Sequence, residues 1–174
     1  MSERDVTLRD GRTLHIYDDG DPDGFVVFEH YGTPGSGLTY APDVELARER
    51  GLRLVSYDRA GYGGSTANPG RAVAGVANDV VDVADALGVE RFASVGSSGG
   101  APHSLALGAL VPERCVAVAA IACPAPWGAE GIDSTDGMGG QNVEEFNGAL
   151  PGADPPGAFR GPTARGFSEG TDGD

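Results

Sequence analysis

An α/β fold, a mostly parallel sheet with helices on both faces, follows from three observations on the sequence. Short runs such as Phe25-Val26-Val27-Phe28 and Cys115-Val116-Ala117-Val118 are apolar at every position, the mark of strands covered on both faces. Between such runs lies a helical pattern: Val73, Val76, Val80, Val83 and Leu87 recur at three- and four-residue steps, with Asp79, Asp82 and Asp85 on the other side. Strand and helix patterns then alternate along the chain, so each strand-to-strand step needs a helical crossover, which gives a parallel sheet.

The elements follow in order. Residues 6–8 and 13–17 read as two short strands around the Asp10-Gly11 turn, a good hairpin signal. Residues 18–24 (DDGDPDG) have the composition of a solvated turn. A buried strand over 25–28 ends in a Gly/Pro-rich loop, 30–37. Residues 42–50 suit a helix opened by Pro42 and closed by Gly51, and 53–56 a strand. After a loop over 58–70 comes the amphipathic helix 73–87, ended by Gly88. A strand at 92–95, a helix from Ala101 and a strand at 115–122 complete the regular part. Residues 127–140 are loop-like, and 142–150 suit one helix. The stretch 147–174 holds seven Gly and four Pro in 28 residues, above the roughly 25–30% at which disorder is the better reading.

Composition bounds the function. A chain of 174 residues suits one domain with a real core, although it is short for the architecture suggested below. Twelve basic against 26 acidic residues leave a net charge of −14, and every basic residue is Arg. That field repels phosphate backbones and anionic lipid, so neither nucleic acid nor a membrane is an expected partner. Cys115 and Cys123 are the only cysteines, both beside apolar sequence as buried free thiols are, and do not form a disulfide framework. The first twelve residues are charged and lack a signal-peptide core, and no apolar run approaches the roughly 18 residues of a membrane helix. A cytoplasmic location is the default expectation.

The stretch 91–110 (RFASVGSSGGAPHSLALGAL) carries the chemistry. Gly96-Ser97-Ser98-Gly99-Gly100 fits G-x-S-x-G with Ser98 at its centre, between a strand and a helix as a nucleophile elbow requires. Such a turn strains the serine backbone and lifts Oγ clear of the sheet, and small neighbours are needed where strand and helix almost touch. The N–H of Gly99 then sits at a helix start, where it can help hold a developing oxyanion. A Gly/Ser turn without chemistry would satisfy the same short motif.

Three stretches together resemble the first part of an α/β-hydrolase: HYGTPG after the third strand, DRAGYGGS after the fourth and GSSGG after the fifth. The resemblance covers about residues 6–146 and is nearest the esterase and proline-iminopeptidase-like branch. It implies Ser98 as nucleophile and the backbone N–H groups of Gly99 and Thr33 as oxyanion donors, with an ester or amide as the small-molecule substrate and neither cofactor nor metal. Asp58, Arg59, Gly63, Gly64 and Ser65 would brace the oxyanion loop. The family places His directly before the loop Gly; here Tyr31 stands there and His30 one residue earlier, so the loop is expected to pack differently and His30 to be structural. Serine at the elbow argues against epoxide-hydrolase-like or haloalkane-dehalogenase-like chemistry, where an Asp occupies that place.

The family triad runs Ser, then Asp or Glu, then His. After Ser98 the one histidine is His103, expected in the same helix and packed against a neighbouring element; Asp133 and Asp136 are weak candidates for the acid. The expected organisation is a partial core over residues 1–126, truncated after about six strands, the start of a cap over 127–150 and a Gly/Pro-rich tail over 151–174. Two function classes stay open: a serine hydrolase whose acid and base lie outside this chain, leaving weak or no activity, and a non-catalytic module that binds a ligand at the remnant pocket. The last strand is expected to leave an apolar edge that favours self-association.

Overall fold

The computed structural model describes residues 2–148 and divides the chain into two compact units, Met1–Pro124 and Ala125–Asp174. The first unit holds strands β1 (Ser2–Thr7), β2 (Thr13–Gly20), β3 (Phe25–His30), β4 (Leu52–Tyr57), β5 (Phe92–Ser97) and β6 (Cys115–Ile121). Its helices are α1 (Ala41–Glu49), α2 (Val76–Ala86) and α3 (Ala101–Leu110). The strands form one sheet in the order β1-β2-β4-β3-β5-β6, antiparallel at β1-β2 and β2-β4 and parallel from β4 to β6.

Strand order places the helices. The step β3→β4 moves one way across the sheet, while β4→β5 and β5→β6 move the other way. Crossovers of one hand therefore put α1 on one face and α2 and α3 on the opposite face, and α2 packs against α3. The direction reverses at β3, whose neighbour across the reversal is β5. In open parallel sheets the carboxyl ends of strands flanking such a reversal border the crevice where ligands bind. Here those ends are His30 with its following loop, and Ser97 followed by Ser98.

The core is apolar: Leu14, Ile16, Phe28, Val55, Val80, Val83, Phe92 and Leu107 are buried in one cluster. Phe28 and Phe92 meet edge to face at 4.9 Å between centroids, locking β3 to β5 beneath the elbow.

Two strands run beyond their apolar signal. β1 begins at Ser2, four residues ahead of its expected start, because its charged side chains are paired across the ladder: Arg4 to Asp18 at 2.7 Å and Asp5 to His15 at 2.7 Å. A charged edge strand also resists edge-to-edge association. β2 continues through Asp18-Asp19-Gly20, which composition marks as turn, because Asp18 is held by Arg53 as well as Arg4 and Asp19 accepts from Thr39 at 2.5 Å. The acidic face of α2 is ion-paired too, Asp79 with Arg12, Asp82 with Arg9, and Asp85 with Arg9 and Arg114.

At the other end of the sheet β6 pairs only with β5 among the described residues, and Val116, Val118 and Ile121 are exposed. Cys115 is buried and Cys123 exposed; the expectation that both are buried fails for Cys123, which lies past the strand end.

The second unit contains turns through 126–139 and α4 (Gly140–Gly148), which starts two residues before the expected helix; Trp127 stacks on Phe146 at 5.9 Å. The expected end of that helix at 150 and the tail 151–174 lie outside the described residues. No helix among those described is long and apolar enough to cross a membrane.

Candidate active site

The chain turns sharply where β5 meets α3. Ser98 has φ 48°, a left-handed conformation that costs a non-glycine residue of order 1–3 kcal/mol and so requires surrounding structure to enforce it. Gly96 and Gly100 are that surrounding structure. A methyl group on Gly96 would lie 2.5 Å from Gly100 O and 2.9 Å from Ala101 Cα, and one on Gly100 would overlap the His30 carbonyl. The helix thus lands directly on its own strand and on β3, and Ser98 is left exposed at the carboxyl edge of the sheet.

The loop after β3 closes over this turn. Gly32 packs against Ser98, since a methyl there would sit 3.3 Å from Ser98 Cβ and 3.8 Å from its Oγ. Gly99 abuts Thr33: a methyl on Gly99 would lie 3.2 Å from Thr33 N and 2.5 Å from its Oγ1. Ser98, Gly99 and Thr33, the three residues singled out in the sequence, therefore meet at one place. The loop after β4 holds the arrangement. Arg59 donates to Tyr31 O, to Gly32 O at 2.8 Å and to Thr33 Oγ1 at 2.9 Å. Asp58, buried, accepts from Gly37 N at 2.7 Å and Gly64 N at 2.9 Å, and Ser65 Oγ donates to Asp58 O at 2.6 Å. Burial pushes the Arg59 guanidinium below its ordinary value.

Tyr31 leaves the loop sideways. Its hydroxyl donates to Glu29 Oε2 at 3.0 Å and accepts from Tyr40 N at 3.3 Å. Burial, then the Glu29 charge, raises the phenol well above its usual range, and burial likewise raises Glu29.

All three histidines are engaged elsewhere. His30 is buried, with Nδ1 2.9 Å from Tyr57 Oη and Nε2 2.9 Å from Ser94 Oγ; Ser94 and Ser104 are 2.8 Å apart, and Ser104 donates to Ala119 O at 3.3 Å. Only one proton order satisfies this chain. The Ala119 carbonyl can only accept, so Ser104 accepts from Ser94, Ser94 accepts from His30 Nε2–H, and Nδ1 accepts from Tyr57. His30 is a neutral strut spanning β4, β3, β5 and α3, and burial drives its pKa down to about 3. His103 donates from Nδ1 to Gly99 O at 3.1 Å, and its Nε2 is buried with no hydrogen-bond partner. Burial, followed by the charge of Arg59, lowers its pKa to about 4. His15 lies on β2 with Asp5, whose hydrogen bond raises its pKa. Among the described residues none of these rings hydrogen-bonds Ser98. In the second unit Asp133 accepts from Thr135 N at 2.9 Å and Thr135 Oγ1 at 2.7 Å, closing its own turn.

Comparisons with known proteins place the fold in a family. A family model described as the alpha/beta hydrolase fold matches residues 26–159. Epoxide hydrolase B of Mycobacterium tuberculosis is 31% identical over 119 residues, 66% of this chain and 33% of that protein. The bifunctional esterase/perhydrolase DCH of Acinetobacter calcoaceticus is 33% identical over 122 residues, 70% of this chain and 44% of its own. The crystal structure of an epoxide hydrolase from Vigna radiata superposes with a TM-score of 0.57 at 25% identity, covering 72% of this chain and 40% of that one. The chain thus spans between a third and less than half of the curated relatives it matches.

Proposed function

The chain belongs to the alpha/beta hydrolase fold family, and on that premise we propose that it carries the nucleophile and oxyanion donors of a serine hydrolase acting on an ester or amide. The observation that carries this reading is the strained φ of Ser98 at the carboxyl end of β5, with Gly99 and Thr33 packed beside it. Ser98 Oγ attacks the substrate carbonyl carbon, the carbonyl π pair moves to oxygen, and the Gly99 and Thr33 N–H groups bind that oxyanion. One such donor is worth about 2.7–4 kcal/mol in the transition state. Collapse of the adduct expels the alcohol or amine, and water releases the acid from the acyl-enzyme.

A base must take the serine proton, and the histidines of this chain are occupied: His30 in its strut, His15 with Asp5, His103 with Gly99 O. By itself the chain therefore turns over esters at a residual rate, roughly 10³–10⁴ over water with about 10⁶ missing. The bare elbow gives some support to the second class, a non-catalytic binding module. Relatives named epoxide hydrolases suggest a third chemistry, which Ser98 opposes. A carboxylate that opens an epoxide becomes an ester that water can cleave; a serine would become an ether, with no carbonyl for water to attack.

The nearest branch on these motifs is esterase or proline-iminopeptidase-like, acting without cofactor in the cytoplasm. A core over residues 1–126 followed by the start of a cap over 127–150 belongs to the same proposal, supported by the division of the chain after Pro124. The exposed β6 edge favours self-association. A fluorophosphonate probe separates the two main readings. Slow labelling on long exposure, abolished by Ser98→Ala, supports the hydrolase; no labelling above the Ser98→Ala background, with ligand binding unaffected by that change, supports the binding module.

A further inference from the structure

A cavity of about 50 Å³ lies on the α2 side of the oxyanion loop, and Ser98 does not line it. Its wall includes His103, 8% exposed, with Arg59, Arg71 and Asn68. Gly75 and Val76 close one end, where the 3-10 turn Val73–Gly75 runs into α2 and the N–H groups of both residues are already bonded within that turn.

His103 fixes what the cavity can hold. Because Gly99 O can only accept, the ring proton sits on Nδ1, and Nε2 is a bare lone pair, buried and without a partner. A buried acceptor left unmade is a standing cost that an occupant sharing a proton would relieve. Charge decides the rest. The Arg59 and Arg71 guanidinium carbons stand 5.5 and 5.8 Å from the same Tyr62 ring, and neither has an ion pair among the described residues. The acid on the wall, Asp79, is taken by Arg12 at 2.5 Å. Facing His103 from the other elements are His30 of β3, stacked at 6.4 Å, and Tyr57 at the end of β4. Two cations and an unmet lone pair thus surround space for about three to five water-sized atoms at 10–15 Å³ each.

We infer that this cavity binds a small carboxylate of formate or acetate size, between Arg71 and Arg59, with a hydrogen bond to His103 Nε2. One proton accompanies the charge, carried in on the acid or taken up by Nε2 from solvent, so no bond is made or broken except to hydrogen. Arg59 also holds Tyr31 O, Gly32 O and Thr33 Oγ1, so occupancy reaches the loop that carries Thr33. The inference is independent of any role for Ser98.

Urea unfolding of the whole chain in sodium acetate, against acetamide at matched ionic strength, tests it. Acetate should raise the folded-to-unfolded ratio as 1 + [acetate]/Kd, about elevenfold at ten times its Kd, and acetamide should not. Arg71 is exposed, so Arg71→Gln should fold normally and lose the acetate response. Imidazole ¹⁵N spectra give a readout free of stability: the His103 Nε2 resonance should move with acetate and saturate with the same Kd. Equal effects of acetate and acetamide, an undiminished response in Arg71→Gln, or a stationary Nε2 resonance would each overturn the site.

Discussion

Replacing Ser94 with Ala tests the directed proton chain beneath the elbow. Ser94 is 2% exposed, as is His30, so water cannot take its place. The substitution leaves His30 Nε2–H with no acceptor, while Ser104 still donates to Ala119 O and loses only an incoming bond. One buried donor orphaned costs about 1–3 kcal/mol, a five- to 150-fold fall in the folded-to-unfolded ratio. Ser104→Ala likewise strands one buried donor, the Ser94 hydroxyl proton, and should cost a similar amount, about 1–3 kcal/mol. Urea unfolding at neutral pH reads both. At a slope of about 2 kcal/mol/M the Ser94→Ala midpoint falls by roughly 0.5–1.5 M with the slope unchanged. An unmoved midpoint in Ser94→Ala would refute the proton order and with it the view of His30 as a neutral strut.

Further outcomes follow from the same contacts. Burial holds His30 and His103 down to about 3 and about 4 in the folded chain, below the ordinary imidazole value of 6.5, so the unfolded state binds more protons and stability falls as pH drops below 6.5. From pH 7.5 to 5.5 each contributes a loss of about 1.4 kcal/mol, continuing toward pH 4 for His103 and pH 3 for His30. His15 runs the other way, its raised pKa giving stability that is present below 6.5 and lost as pH rises through the folded value. Unfolding titrations should therefore show a shallower acid loss in His103→Gln and a steeper one in His15→Gln. Gly96→Ala forces a methyl onto the backbone of Gly100 and Ala101, an overpacking cost of about 1–3 kcal/mol visible as a lower urea midpoint and weaker probe labelling of Ser98. Sedimentation velocity should find concentration-dependent self-association in the parent chain and less of it in Ile121→Lys, which places a charge on the exposed β6 strand.

What the sequence disclosed was what local pattern encodes. Apolar runs located β3 to β6, Val spacing located α2, and Gly96 and Gly100 around Ser98 announced the strand-to-helix turn. The charged start of β1, residues 2–5, was hidden because its stabilisation is cross-strand, Arg4 to Asp18 and Asp5 to His15, and a solvated edge has no hydrophobic period. The Asp18-Asp19 end of β2 read as turn for the same reason: its partners, Arg53 and Thr39, are 35 and 20 residues away. His30 could be read as structural from chain order, but its partners Tyr57, Ser94 and Ser104 are ordinary residues whose meeting only the fold specifies. The bracing role of Arg59 was visible in DRAGYGGS; its place beside Arg71 and the orphaned His103 nitrogen was not, because nothing local links residues 59, 71 and 103.

The most direct test is p-nitrophenyl acetate turnover by the monodisperse chain beside its Ser98→Ala variant. A nucleophile elbow with no histidine at hand predicts a turnover number far below about 1 s⁻¹, the low end of ordinary enzymes. A value at or above that, lost in Ser98→Ala, would show that a base does reach Ser98 and would contradict the assignment of His15, His30 and His103 to other partners.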